Sequence, residues 1–337
     1  MDKKVMWKEI GKTAGKLLIL LVPFFVLLPL YCRFFPEYYM DDEYAMYRQQ
    51  KDYVKGNAEN NSVVILGDSR AKAGFVPDLL SGDCYNLSLG GATPIEGYYT
   101  LKEYLEHHPL PETVILSYAP MHYMDIDTLW TRSVYFHTMD TEDFMEIINI
   151  AKEYEENQSI LIDNYPVEYM MYKAYMPNKY ATALKKAGFV FRYQKTKEKY
   201  AQMEEGRGQS YYGTAEYSDS FNGEAKVTDF SESDIITHYM EQIFSLCQTN
   251  NIRVIVKNMP MNEASYAILT EDFKTHYSQY MKALQSEYET VVFDTALTVY
   301  SNDYFGDADH LNQKGTQRFC GELTEQYPDL FKKQKVF

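Results

Sequence analysis

Apolar positions along this chain fall into three patterns. From residue 17 to 35 they are almost continuous, broken only by Pro23, Pro29 and Arg33. As a helix that run would extend about 28 Å at about 1.5 Å per residue, close to the hydrocarbon thickness of a bilayer. Further on, short runs at 63–66, 84–87, 113–117, 252–256 and 291–293 are apolar nearly throughout. Runs of that length bounded by turn residues predict strands buried on both faces. Between them lie stretches with helical spacing, at 41–54, 71–80, 95–107, 235–249, 273–287 and 315–327. In 95–107, for example, Tyr98, Leu101, Tyr104 and Leu105 share one face. Strands alternating with helices predict an α/β fold: a three-layer parallel sheet flanked by helices, with its chemistry at the carboxyl ends of the strands.

The alternation fails between about 125 and 230. That section holds helical patterns at 140–155 and 167–187, the second interrupted at Pro177. It also holds a polar stretch, 204–220, with Gly206, Gly208 and Gly213. It reads as an insertion, either walling the active site or decorating the periphery. The expected organisation is a cytoplasmic stub and anchor over 1–36, a stalk over 37–61, and one domain over 62–337 that contains the insertion.

Charge sharpens the N-terminal reading. Lys3, Lys4, Lys8, Lys12 and Lys16 face only Asp2 and Glu9, a local +3 in a chain of net −15, so the remainder carries −18. Lysines before an apolar run place it with its N-terminus in the cytoplasm. The expectation is a single transmembrane helix in the cell membrane, with the domain outside. A cleaved signal peptide is the alternative, but Arg33-Phe34-Phe35-Pro36 offers no small-residue cleavage site. An acidic body argues against nucleic acid as a partner. The 32 tyrosines suit amphipathic ligands such as sugars, and equally suit a core. Cys32, Cys84, Cys247 and Cys320 form no metal-binding spacing and no disulfide framework, although one bridge could form. No metal or cofactor motif is present in the sequence, and none is expected to be needed.

Two short segments carry the candidate chemistry. Gly67-Asp68-Ser69-Arg70 follows the first strand, and Asp307-Ala308-Asp309-His310 lies near the C-terminus. They supply a serine on a strand-end turn and an Asp/His pair three residues apart, the parts needed for a nucleophile, its base and the carboxylate that orients the base. Asp309 competes with Asp307 for the last role. With these segments the chain resembles the SGNH/GDSL hydrolase superfamily. The resemblance implies that Ser69 is the nucleophile, His310 its base and Asp307 the orienting acid. It also makes Asn86-Leu87-Ser88-Leu89-Gly90-Gly91 the second block, with the N–H of Gly91, or else of Gly90, joining that of Ser69 in an oxyanion hole. The third block departs from the family pattern. Ser117-Tyr118-Ala119-Pro120-Met121-His122 has no asparagine to donate to the oxyanion, and His122 is the candidate substitute. Within the superfamily the chain resembles anchored extracytoplasmic members of cell-envelope polymer acylation, of the D-alanyl transfer and alginate O-acetylation type. That implies a serine acyl esterase or O-acyltransferase acting on a surface polysaccharide or teichoic-acid-like polymer beside a multi-pass membrane O-acyltransferase. The alternative is a non-catalytic scaffold or glycan-binding partner of such an acyltransferase.

Overall fold

The computed structural model describes residues 3–40, 42–56, 59–80, 83–126, 128–157 and 191–331, without the side chains of 23–25, 28–29 and 155–157. Five parallel strands form the central sheet: β1 (Val63–Gly67), β2 (Cys84–Asn86), β3 (Thr113–Ser117), β4 (Arg253–Val256) and β6 (Val292–Phe293), in the order β2-β1-β3-β4-β6. All five sequence-predicted strands are present. A second, two-stranded parallel sheet, β5 (Met261–Asn262) with β7 (Val299–Tyr300), is too short to have been visible as a pattern.

The period-two alternation of strand side chains divides the core. Val64, Leu66, Val114, Leu116, Val254 and Val256 point to one face. There they meet α5 (Pro94–His107), α8 (Asp234–Thr249) and α10 (Glu271–Glu287) through residues such as Ile95, Leu101, Ile243 and Tyr277. Val63, Ile65, Ile115 and Ile255 point to the other face, against α3 (Ser69–Gly74), α4 (Pro77–Leu80) and α11 (Gln313–Gln326) through Phe75, Leu80, Phe319 and Leu323. Burial on both faces is what continuous apolar strands require. The fold is therefore α/β, a parallel sheet flanked by helices. The four cysteines are buried and none is in a disulfide, so the one bridge that could have formed does not.

The expected transmembrane span does not appear in that form. Among the described residues no helix is long and apolar enough to cross a membrane. The N-terminal segment is nevertheless one helix, α1 (Lys3–Phe34), with lysines along its first half and exposed Leu17, Leu18, Ile19, Leu20, Val22, Val26 and Leu27 further on. Its apolar part is thus shorter than the helix and contains two prolines.

After α1 the chain enters α2 (Asp42–Val54), which packs against α5 and against α7 (Tyr193–Glu205), burying Tyr44, Tyr47, Gln49 and Gln50. In the section read as an insertion, the helix expected at 140–155 is α6 (Thr141–Ala151). The helix expected at 167–187 lies outside the described residues. The smaller α9 (Glu263–Ile268) follows β5. At the end of α5 His107 is exposed, whereas His108 is buried and stacks on Tyr104 at 4.4 Å.

Candidate active site

β1 ends at Gly67, and Asp68 turns the chain into α3. Its carboxylate Oδ1 accepts from the N–H groups of Arg70 (2.8 Å) and Ala71 (3.3 Å), satisfying donors that a helix start leaves unpaired. Ser69 therefore opens a helix at the carboxyl edge of the sheet. Its Oγ lies 2.8 Å from His310 Nε2, and His310 Nδ1 lies 2.9 Å from both carboxylate oxygens of Asp307. With Nδ1–H donating to Asp307, Nε2 is left to accept the Ser69 hydroxyl proton. Residues 241 positions apart thus form one relay.

Asp307 is held by more than its partner. Its Oδ1 also accepts from the backbone N–H groups of Asp309 and His310, each at 2.8 Å. Partial burial works against its charge, but the hydrogen bond and charge of His310, with these two N–H groups, outweigh it and hold the carboxyl below its usual value. Asp309, the competing acid, points elsewhere and accepts from Arg70 Nη2 at 2.6 Å. The same nitrogen donates to Glu224 at 2.6 Å. Burial would depress the Arg70 guanidinium, yet Glu224, Asp309 and Asp68 together raise its pKa, so it stays charged. Arg70, next to the serine, thereby ties α3 to the Asp/His loop.

The glycine turn of the second block is gripped from behind. Tyr47 on α2 donates to the Gly90 carbonyl at 2.9 Å, and Thr128 donates to the Gly91 carbonyl. No peptide here is cis, so the N–H of Gly91 points away from the Gly90 carbonyl that Tyr47 holds. Gly91 sits at φ +73°, where other residues are strained. Leu89 N–H donates to Gly67 O at 2.9 Å, which brings this turn beside the Ser69 turn. The Asn86 side chain donates to the carbonyls of Ala71 and Phe75 and accepts from Ser88 N–H, locking β2 to α3. His122 lies beside the Ser69 turn: its Nε2 is 3.6 Å from Asp68 Oδ2, the same oxygen that accepts from Ala119 N–H at 2.6 Å.

The polar stretch with three glycines crosses the site as an extended strap. Asn86 N–H donates to Arg207 O, Ser210 N–H to Lys72 O, and Ser218 N–H to Asn302 O. Asn312 donates to the carbonyls of Ala215 and Glu216, and Glu224 meets Arg70. At Gly213 a Cβ would come within 2.5 Å of the Gly306 carbonyl carbon and 2.7 Å of Asp307 N, so only glycine allows this approach to the acid loop. Tyr212, one residue before, stacks on the His310 imidazole at 4.6 Å with the planes 16° apart. Tyr47, Arg70, Tyr212 and Glu224 were not singled out from the sequence. The adjacency of Arg70 to Ser69, and a tyrosine pair inside a glycine-rich loop, were the available signals.

Lys72 on α3 is fully buried and donates to Ser88 O (2.8 Å) and Gly208 O (2.7 Å), joining the second block to the strap. Burial lowers its pKa from 10.5 to about 7. Below about pH 7 the lysine is charged both folded and unfolded, and the folded state bears the burial cost. Above that the native state sheds the proton while the unfolded chain keeps it, so stability rises with pH towards 10.5. Wild type should gain about 2 kcal/mol between pH 7 and 9 relative to Lys72→Met, measured by urea unfolding at both values.

The family profile "Protein of unknown function (DUF1574)" matches residues 19–327. The chain belongs to that family. The match takes in α2, the Ser69 turn, the strap and the Asp/His loop of this DUF1574 protein, so its candidate site lies wholly inside the family region. No curated protein matches the chain. Among solved structures, one described as "a putative platelet activating factor from Streptococcus pneumonia" is similar at 12% identity and a TM-score of 0.40, over 84% of this chain and 90% of that one. A likeness at that level transfers no activity.

Proposed function

We propose that this DUF1574 protein is a serine acyl esterase or O-acyltransferase of the SGNH type. The observation that carries the reading is the continuous Asp307–His310–Ser69 relay, at 2.9 and 2.8 Å. In the first half-reaction Ser69 Oγ bonds to the acyl carbonyl carbon as its proton passes to His310 Nε2, and the carbonyl π electrons move onto oxygen. Collapse restores the carbonyl and expels the leaving alcohol, which takes the proton from Nε2. In the second half-reaction water or a glycan hydroxyl gives its proton to Nε2 and bonds to the acyl carbon; collapse then breaks the bond to Ser69 Oγ, which takes the proton back from Nε2. The two acceptors call for the same protein groups, which is why hydrolysis and transfer share this site. The N–H groups of Ser69 and Gly91 are suited to stabilise the oxyanion, because neither has a backbone hydrogen-bond partner among the described residues. The reading is tested with a fluorophosphonate probe on the whole protein, with the adduct mapped by mass. Attachment at Ser69 is expected, and an unlabelled Ser69 overturns it.

We further propose that α1 anchors the chain in the cell membrane, with the catalytic domain outside and a cell-envelope polysaccharide or teichoic-acid-like polymer as acceptor or substrate. What supports this is the lysine-flanked helix with its exposed leucines, isoleucine and valines, since so much apolar surface on one helix is costly in water. The protein should stay with membranes through an alkaline carbonate wash, while a chain starting at residue 36 should not. Release of the full chain by carbonate would overturn the anchor. A multi-pass membrane O-acyltransferase is the proposed donor-side partner.

One observation favours a second reading, a non-catalytic scaffold or glycan-binding partner of that acyltransferase. The third block has no asparagine, and its loop donates Ala119 N–H to Asp68 instead of presenting a side-chain amide.

A further inference from the structure

We propose that the Tyr212 hydroxyl is the side-chain oxyanion donor that replaces the absent third-block asparagine. This rests on the esterase reading above and adds a catalytic residue to it.

Three placements carry the inference. The Tyr212 ring lies flat on the His310 imidazole, 4.6 Å away and tilted by 16°, which fixes the phenol next to the base that serves Ser69. Its hydroxyl reaches the other wall of the site: a Cβ added to Gly90 would sit 2.9 Å from Tyr212 Oη. The phenol therefore spans from the base to the turn whose Gly91 N–H is held in place by Tyr47. In this assignment the oxyanion that forms on a carbonyl attacked by Ser69 lies between those two walls. The hydroxyl also has its proton on loose terms. Its hydrogen bond is to the thioether of Met46, at 3.4 Å, a weak acceptor that a forming alkoxide outcompetes. Burial, with Glu43 close by, raises the phenol pKa although Arg132 opposes the shift, so the group remains a donor. Tyr212 keeps its proton throughout and only donates a hydrogen bond.

The other candidate for this role is placed less well. His122 turns towards Asp68, whose carboxylate would compete with any oxyanion for its N–H.

The sequence context fits a dedicated position. Gly213 lets the strap descend onto Asp307, and Ser210 N–H pins its other side to Lys72 O, so Tyr212 is delivered between two fixed points.

The test compares wild type, Tyr212→Phe, Met46→Leu and Ser69→Ala in fluorophosphonate labelling rate and p-nitrophenyl acetate turnover, with a thermal melt of each. Phenylalanine keeps the stacked ring and removes only the donor. Its labelling rate and kcat should fall about a hundredfold, the usual loss for one oxyanion donor, with KM little changed. Met46→Leu keeps the volume and removes the thioether, so the rate should hold or rise. A structural role for the hydroxyl–thioether contact would instead lower both variants alike. Tyr212→Phe within about threefold of wild type, or Met46→Leu as slow as Tyr212→Phe, overturns the assignment. Wild type unlabelled at Ser69 overturns the esterase reading itself, and this assignment with it.

Discussion

Ser69→Ala is expected to abolish fluorophosphonate labelling and to lower ester turnover on the order of 10⁴-fold or more, leaving the melting temperature nearly unchanged. The separation of the two effects follows from local structure. The start of α3 is capped by the Asp68 carboxylate, not by the serine, and among the described residues the side-chain hydrogen bond of Ser69 Oγ is to His310. Alanine keeps the helix and its cap, so the fold is retained. What disappears is the atom that forms the acyl bond. His310→Ala should behave alike, because an unassisted serine hydroxyl is a poor nucleophile. Labelling that persisted in Ser69→Ala would remove the nucleophile from this site altogether.

Asp307→Asn is expected to cost about 10⁴-fold in turnover, a loss of the size seen when such an acid is amidated in other serine hydrolases. The structure explains why an isosteric change would be so damaging. Asp307 Oδ1 accepts from two backbone N–H groups as well as from the imidazole. The asparagine oxygen would keep the backbone donors, which leaves its NH₂ group facing His310 Nδ1. That nitrogen would then have to accept, placing the proton on Nε2, where it blocks transfer from Ser69. Asp309→Asn should reduce turnover less than about tenfold, because Arg70 retains its buried Glu224 partner. Equal losses in the two variants, measured as kcat/KM with matched melts, would overturn the assignment of Asp307 as the orienting acid.

Most of the sheet could be read from the chain because its signals are local. Runs such as Val63-Val64-Ile65-Leu66 are buried on both faces, so they stay apolar throughout, and the helices between them keep their spacing. The Ser69 turn and the Asp307/His310 pair were legible for a similar reason: each is a short segment whose residue types suit one chemistry. β5 and β7 escaped notice because two residues carry no period. Tyr47 and Tyr212 are not legible because their contacts are long-range, and a tyrosine that packs is spelled like one placed beside a catalytic group.

The sequence by itself determined the alternating architecture, the Gly67-Asp68-Ser69 turn, the Asp/His spacing and the lysine-flanked apolar segment, since each follows from neighbours within a few residues. Only the tertiary structure decided which acid pairs with His310 and where His122 goes, because Asp309 is drawn to Arg70, 239 positions away, and His122 meets Asp68 at the end of a different strand. It also turned a glycine-containing polar stretch into the strap that lays Tyr212 on the base. Backbone hydrogen bonds to Lys72 and Asn302, and a contact at Gly213 too close for any side chain, hold that strap in place.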